Sequence, residues 1–214
     1  MIKTLVFDLG GVLVDLDPTA CIQAFSKLGL PITTRVTTED LNRQGMPKEG
    51  KLAELIKATD AGQICEKEFI EKLQPLCTPG TSPQEIRDAF CSIIVFHAHR
   101  FQWLKELKKH YTIYLLSNIG DLHWAHTQRL VREAGIDMEE CFDKCFLSYQ
   151  LKQTKPDPCI YNTLLQETGL NPAETLYIDD LADNIEAGRK LGLQVFKLET
   201  NKLDTTDWGF IDIK

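Results

Sequence analysis

The sequence lacks any apolar run approaching the roughly 20 residues that a membrane-spanning helix needs. We therefore predict that the chain does not enter a membrane, and no signal peptide is recognisable in it. Its seven cysteines form no CxxC pair, so we expect them to act as small hydrophobic residues in a reducing cytoplasm. The chain also has no internal repeat and no low-complexity segment. A cytoplasmic globular protein is the expectation that remains.

Positive charge is also in short supply. Only 24 Lys and Arg residues stand against 31 Asp and Glu residues, which gives a net charge of −7. This balance argues against nonspecific binding to nucleic acid or to anionic membranes. An anionic substrate would therefore need a local cation. The length of 214 residues and the 43% hydrophobic content suit either one core with a sizeable insertion or two domains.

The most informative stretch is residues 2–14, IKTLVFDLGGVLV. The apolar run Leu5–Phe7 ends in Asp8, and two glycines follow shortly after. A continuous apolar run of this kind is typical of a central strand in a parallel sheet. Ligands of open α/β sheets bind outside the carboxyl ends of such strands, which places Asp8 where chemistry is expected. The alternative is that Asp8 caps a following helix.

Helical spacing of apolar residues dominates the chain from Pro18 to Phe96, and we find no strand candidate between them. Asp17 and Pro18 suit the start of the first helix, as N-cap and first-turn residues. The apolar stripes lie at 21–28, 52–56, 69–73 and 86–94, and Met46-Pro47 is typical of a loop. We predict that residues 17–96 form a helical insertion directly behind the first strand.

Beyond residue 97 the pattern changes to an alternation of strands and helices, which favours a parallel sheet. Residues 1–16 and 97–214 are therefore predicted to form one α/β domain with a Rossmann-like, five-stranded parallel sheet. The predicted strands are 3–8, 112–117, 145–148, 175–179 and 193–198.

Polar residues follow several of these strands. Ser117-Asn118 and Asp179-Asp180 lie at strand ends, and Lys155 stands in a Thr-Lys-Pro-Asp sequence. If adjacent strands bring Asp8 and the Asp179–Asp180 pair together, each contact at about 4 Å costs roughly 4 kcal/mol at an effective dielectric near 20. A divalent cation would reverse this repulsion, and oxygen-only ligands select Mg²⁺.

The remaining polar groups suit a phosphate. Ser117 offers a hydroxyl and Asn118 a backbone N–H, and Lys155 supplies a point charge. Together with a carboxylate nucleophile and a metal, they predict a site for phosphoryl transfer.

Four segments in order resemble the motifs of the haloacid dehalogenase (HAD) superfamily: FDLGGVLVD, LLSN, the lysine of KPDP, and IDDLADNIEAG. The resemblance covers nearly the whole chain and is closest to phosphatases similar to the α-D-glucose-1-phosphate phosphatases. It implies a HAD core in which the helical insertion is a C1 cap, a lid over the site. Its implied substrate is a small soluble phosphate.

The resemblance also implies a role for each site residue. Asp8 is the nucleophile that forms a phosphoaspartyl intermediate, and Ser117 and Asn118 hold the transferring phosphoryl group. Lys155 tethers that group to the nucleophile. Asp180 ligates Mg²⁺ beside Asp8, with Asp179 close by, and the backbone carbonyl of residue 10 is a further metal ligand.

One position departs from the motif. Phosphatases of the family usually carry a second aspartate two residues after the nucleophile, as general acid and base, and here that residue is Gly10. Asp15 or Asp17 could be recruited instead, although a flap turn and a helix cap are the simpler roles for them. His123 and His126 could contact substrate or could lie in a solvated helix start.

We therefore predict a Mg²⁺-dependent cytoplasmic phosphatase, a monomer or weak homodimer, that acts on a small phosphomonoester, in the first place a sugar phosphate. Two alternatives stay open. One is a hydrolase of the 2-haloacid dehalogenase type, which also lacks the second aspartate but has no use for Asp179-Asp180. The other is a catalytically weak HAD-like protein that binds phosphometabolites or a protein partner.

Overall fold

The first strand is the centre of a five-stranded parallel sheet, as predicted. The computed structural model describes residues 1–30 and 50–208. Strand β1 (Thr4–Phe7) lies between β4 (Thr112–Ser117) and β6 (Thr175–Asp179), and β5 (Lys144–Leu147) and β7 (Gln194–Lys197) form the two edges. Every pairing in this sheet is parallel. The predicted strand bounds agree with these ranges to within about one residue.

The register of the sheet brings the predicted site residues to one edge. Phe7 is level with Leu115 on one side and Ile178 on the other. Asp8 is therefore level with Asp179, and the end of β4 lies beside them. The side chains of β1 pack alternately into two apolar clusters, Leu5 and Phe7 into one and Val6 into the other. Burial on both faces explains why this strand is an unbroken apolar run.

A separate apolar cluster organises the helices that follow β1. These helices are α1 (Pro18–Lys27), α2 (Lys51–Asp60), α3 (Glu66–Leu73) and α4 (Pro83–Cys91). Three phenylalanines, Phe25, Phe69 and Phe90, are buried among them. Asp17 caps α1 as predicted, since its Oδ1 accepts from the Ala20 N–H at 2.9 Å. The loop predicted around Met46-Pro47 lies outside the described residues.

The prediction of no strand between Pro18 and Phe96 was wrong. Helix α4 ends at Cys91, and Ile94–Val95 form strand β3, which pairs antiparallel with β2 (Asp15–Leu16). Ile94 continues the apolar spacing of α4, so periodicity alone could not separate it from the helix. This two-stranded ribbon joins the sheet to the helical segment at both crossings of the chain.

The remaining helices flank the sheet and complete the α/β architecture. They are α5 (Ala98–Leu107), α6 (Asp121–Glu133), α7 (Met138–Cys141), α8 (Ser148–Leu151), α9 (Pro158–Thr168) and α10 (Ala182–Lys190). Short 3₁₀ turns span Gln74–Leu76, Pro172–Glu174 and Leu203–Thr205. Within the described ranges, no helix has both the length and the apolar character that crossing a membrane requires.

Candidate active site

Asp8 lies directly beyond β1 and is almost buried, with 7% of its surface exposed. Its Oδ1 accepts from the Leu9 N–H at 2.7 Å and lies 3.0 Å from the Lys155 ammonium. Burial raises the pKa of Asp8 to about 7, and Asp179 and Asp180 add to this while Lys155 opposes it. The site therefore holds more negative charge than Lys155 alone balances.

Lys155 is the buried cation of the site. Its Nζ lies 2.7 Å from Asp179 Oδ2 and 3.0 Å from Asp8 Oδ1, and its side chain is 1% exposed. Burial acts to lower the pKa of Lys155, but Asp179 and Asp8 outweigh it, so that pKa is raised and the ammonium stays charged. A lysine held this way presents a fixed positive charge beside the Asp8 carboxylate.

Asp179 and its neighbour Asp180 differ in their surroundings. Both Asp179 oxygens are occupied: Asn184 Nδ2 donates to each, Leu181 N–H to Oδ1, and the Tyr177 hydroxyl and Lys155 to Oδ2. Asp179 is fully buried and does not line the site cavity. It anchors Lys155 through these contacts.

Asp180 faces the cavity instead. Its Oδ2 accepts from the Thr200 hydroxyl at 2.8 Å. Burial raises the pKa of Asp180, and the Thr200 hydrogen bond opposes that change. The supporting role of Thr200 has no local signal in the sequence, whereas Asn184 belongs to the IDDLADNIEAG motif.

The donor set fits a hard divalent cation. One oxygen each of Asp8, Asp179 and Asp180 lies within 4.8 Å of the others. Because the Asp179 oxygens already accept several hydrogen bonds, Asp8 and Asp180 are the carboxylates with ligand capacity. Gly10 also lines the cavity, and in the described part of the chain no N–H or O–H donates to its carbonyl oxygen. Such an oxygen-only set suits Mg²⁺.

Gly11 allows the loop after β1 to approach Asp180 closely. It has a φ of +74°, and a Cβ added there would lie 2.5 Å from Asp180 Oδ2. A side chain at position 11 would therefore displace Asp180. Gly10 is different, because a Cβ there would meet Leu16 Cδ1 at an ordinary 3.4 Å.

Ser117 and Asn118 end β4 at the same edge. Ser117 is 2% exposed and lines the cavity together with Asn118. The Asn118 side chain is bonded both ways to the Lys155 backbone, donating to its carbonyl at 2.9 Å and accepting from its N–H at 2.8 Å. Asn118 thus fixes the segment that carries Lys155, a structural task that sequence reasoning missed.

The cavity over these residues has a volume of about 1090 Å³, ample for a small phosphate ester. One wall is the sheet edge just described. The opposite wall comes from α2 and the turn after it, which contribute Ile56, Lys57, Asp60 and Gln63.

Neither Asp15 nor Asp17 reaches the cavity, so the structure does not support recruiting them as acids. Asp15 is bound to His97 at 2.8 Å and to the buried Arg100 at 2.6 Å, while Asp17 caps α1. Asp17 has the expected role of a helix cap, whereas Asp15 lies in strand β2 and not in a flap turn.

The two histidines that follow Ser117-Asn118 differ in their position relative to the cavity. His123 lines the cavity, but its Nε2 lies 3.1 Å from the Phe90 carbonyl and its ring stacks on the Phe90 ring at 3.8 Å. Burial lowers the pKa of His123 to about 4, so this ring is neutral at physiological pH. His126 contacts Arg129 at 3.2 Å and does not line the cavity.

Known proteins resemble the chain over nearly its full length. A family model of haloacid dehalogenase-like hydrolases matches residues 2–192. A D-ribitol-5-phosphate phosphatase of Bacteroides thetaiotaomicron is 33% identical over 211 residues, which cover 97% of this chain and 95% of the relative. A phosphorylated carbohydrates phosphatase of Thermotoga maritima is 24% identical and covers 90% and 82%, respectively.

Solved structures show the same likeness. A HAD family enzyme of B. thetaiotaomicron, crystallised with magnesium and inorganic phosphate, has a TM-score of 0.82 at 28% identity, covering 99% of this chain and 100% of that one. An L-2-haloacid dehalogenase, at 20% identity and a TM-score of 0.62, covers 94% and 86% and shares the fold. The predicted fold class is confirmed. By sequence, fold and site together, the chain belongs to the haloacid dehalogenase-like hydrolase family, as one of its phosphatases.

Proposed function

We propose that this protein hydrolyses a small sugar or sugar-alcohol phosphate, with Mg²⁺ as cofactor, through a phosphoaspartyl intermediate on Asp8. One observation carries the proposal: the Asp8 carboxylate lies 3.0 Å from a buried lysine and beside a second cavity-facing carboxylate, Asp180. A nucleophile, a fixed cation and a metal-ligating carboxylate in one cavity are the parts that phosphoryl transfer needs.

Each site residue has a task in this proposal. Asp8 Oδ attacks phosphorus while Lys155 balances the charge of the phosphoryl oxygens. The Ser117 hydroxyl and the Asn118 backbone N–H hold the same oxygens. Asp8, Asp180 and the Gly10 carbonyl would hold Mg²⁺. A bound Mg²⁺ supplies the positive charge that lets a phosphate dianion enter a site with more carboxylates than cations.

We propose the helical segment, residues 17–96, as the C1 cap and residues 1–16 with 97–214 as the core. The support is the separate apolar cluster around Phe25, Phe69 and Phe90 and the two-stranded ribbon at both crossings. We keep the expectation of a cytoplasmic monomer or weak homodimer that binds no nucleic acid.

The relatives narrow the substrate class. The 33% identical relative is named for D-ribitol 5-phosphate, a primary-alcohol ester, and the T. maritima relative for phosphorylated carbohydrates. We therefore take two leading candidates: D-ribitol 5-phosphate, and α-D-glucose 1-phosphate, for which the phosphatases that the motifs resemble are named. The 2-haloacid dehalogenase alternative gives no role to the cavity-facing Asp180.

A substrate panel tests the proposal. It comprises p-nitrophenyl phosphate, D-ribitol 5-phosphate, glucose 1-phosphate, glucose 6-phosphate and a 2-haloacid, each with Mg²⁺ and with EDTA. We expect phosphate release with Mg²⁺ and none in EDTA. Phosphatase activity undiminished by EDTA would refute the metal assignment. Halide release without phosphatase activity would refute the function, and binding of phosphate esters without turnover would favour the weak binding protein.

A further inference from the structure

The site as described has a nucleophile but no group to protonate the departing alcohol. Gly10 has no side chain, Asp15 and Asp17 lie elsewhere, and His123 is neutral with its Nε2 against a carbonyl. General acid catalysis contributes roughly 10²–10⁴-fold to such reactions. A phosphatase of primary-alcohol esters would therefore be slow unless another acid faces the cavity.

One carboxylate of the opposite wall meets this need. We propose that Asp60, the last residue of α2, is the proton donor to the leaving-group oxygen and later the base for the attacking water. The inference rests on the proposed phosphatase function, and it assigns to the helical segment a chemical step besides covering the site.

The position of Asp60 is set by two close approaches between the helical segment and the sheet domain. A Cβ added to Gly120 would lie 3.0 Å from Thr59 Cβ, so the end of α2 packs against the backbone just after Ser117-Asn118. Gly62, with a φ of +64°, packs so tightly on the Tyr149 carbonyl that a side chain there would overlap it. Asp60 lies between these two contacts in the chain and lines the same cavity as Asp8.

The surroundings of Asp60 favour its protonated form. The side chain is partly buried, and burial raises the pKa of Asp60 to about 7, against a smaller opposing effect of the Gly120 N–H. Its place at the end of α2 acts in the same sense, because the last carbonyls of a helix carry partial negative charge. The other ionisable side chains known to line the cavity are Asp8, Glu54, Lys57, His123, Lys155 and Asp180. None of these six contributes to the shift of the Asp60 pKa.

Glu54 is the other carboxylate that α2 brings to this cavity. Its side chain is 69% exposed and pairs with Lys51 at 3.4 Å. Glu54 therefore faces solvent and is engaged by a cation, whereas the Asp60 side chain is partly buried in the cavity wall. Asp60 is the better placed of the two.

The proposed steps balance in atoms and charge. As an Asp8 oxygen forms its bond to phosphorus, the P–O bond to the alcohol breaks, and the leaving oxygen takes that electron pair and the Asp60 proton. The products are the free alcohol, a phosphoaspartyl group and the Asp60 carboxylate. Water then attacks phosphorus, gives its proton to Asp60, and releases inorganic phosphate and the Asp8 carboxylate.

The test compares two leaving groups in the full-length enzyme with Mg²⁺. Asp60→Asn keeps an oxygen for the Gly120 N–H but has no proton to give. For D-ribitol 5-phosphate we expect kcat/KM to fall by about 10²–10⁴-fold. For p-nitrophenyl phosphate, whose leaving group needs no proton, we expect kcat/KM to change by less than about 10-fold, because kcat/KM covers the steps up to departure of the leaving group and not the later attack of water. Asp88→Asn is the matched control, since Asp88 is exposed on α4 and lies outside the cavity.

The pH profile gives a second readout. A donor with a pKa near 7 is protonated below that pH, so wild-type kcat/KM for the alkyl ester should decline as pH rises through it. Asp60→Asn should lose this decline. The double variant Asp60→Asn/Gly10→Asp should recover alkyl-ester activity, because it restores a carboxyl two residues after the nucleophile.

Several results would overturn the inference. Equal losses on both substrates would mean that Asp60 only holds the helical segment in place, and an unchanged rate on the alkyl ester would mean that it has no role. If Asp60→Asn does not fold, the pH profiles of the wild type decide. The proposal requires kcat/KM to decline above about pH 7 for the alkyl ester and not for the aryl ester. A wild type inactive on every phosphomonoester would instead refute the proposed function, and this inference with it.

Discussion

The two walls of the cavity are built in different ways. On the sheet side, Asp8, Ser117 and Asp180 stand at or just beyond strand ends and are fixed by neighbours on the same edge. On the helical side, Asp60 reaches the cavity because α2 ends against Gly120. The comparison teaches that the first wall is encoded in short local motifs, whereas the second depends on how one segment packs against another.

The largest expected effect is on the sheet side. Asp8→Asn removes the nucleophile while keeping nearly the same shape, so turnover of every phosphomonoester should fall by at least about 10⁴-fold. Steady-state phosphate release checks this. Because the loss concerns bond formation to phosphorus, it should be equally severe for alkyl and aryl esters, unlike the loss in Asp60→Asn. A residual rate within 100-fold of wild type would contradict the role of Asp8.

Lys155→Met should be the most destabilising of these changes. Lys155 is buried between Asp179 and Asp8, so its removal leaves two carboxylates without their cation. We expect a loss of about 3–5 kcal/mol in the free energy of unfolding, measured with urea at neutral pH. Lys190→Met is the control, since Lys190 is 73% exposed and lies 3.9 Å from Glu186, and should change stability by less than about 0.5 kcal/mol. Equal losses of unfolding free energy in the two variants would mean that the buried contacts of Lys155 with Asp179 and Asp8 do not stabilise the protein more than an exposed ion pair does.

Gly11→Ala probes the contact between the loop after β1 and Asp180. A methyl group there meets Asp180 Oδ2 and displaces it from Thr200. We expect Mg²⁺ affinity to fall by about 10–100-fold, measured by calorimetry with the apoenzyme. Gly135→Ala is a matched control, because Gly135 has the same φ of +74° with no atom near its Cβ. We expect Gly135→Ala to bind Mg²⁺ as tightly as the wild type. If Gly11→Ala does so too, the contact with Asp180 does not set the Mg²⁺ affinity.

The same comparison separates what the sequence predicts from what it does not. The strands around Leu5–Phe7 and 112–117 can be recognised from the sequence because burial on both faces requires an apolar run. The cap role of Asp17 can be recognised because a helix cap is a local interaction. The strand Ile94–Val95 is too short to show a period of two, and its partner lies far away in the chain. Thr200 and Asp60 carry no local motif, since each acquires its place only when distant segments pack together.

The smallest expected effect concerns stability on the helical side. The pKa of Asp60 is about 7 in the folded state against an ordinary 3.8, so the unfolded chain ionises first. The stability of the wild type should therefore decline, through this group, as pH rises from about 4 to about 7. Asp60→Asn lacks the ionisation. The unfolding free energy of Asp60→Asn minus that of the wild type should therefore increase by about 1 kcal/mol from about pH 5 to about pH 8. Urea titrations at several pH values check this, with the exposed Asp88→Asn as control. A difference between Asp60→Asn and the wild type that does not change with pH would contradict the burial of the Asp60 charge.

The central claim is that phosphate passes through Asp8. Its most direct test is to quench the enzyme with acid while it turns over p-nitrophenyl phosphate labelled at phosphorus, and to map the label on proteolytic peptides. We expect label on the peptide that contains Asp8 only when Mg²⁺ is present, and no label in Asp8→Asn. Label on another residue, or rapid hydrolysis by Asp8→Asn, would contradict it.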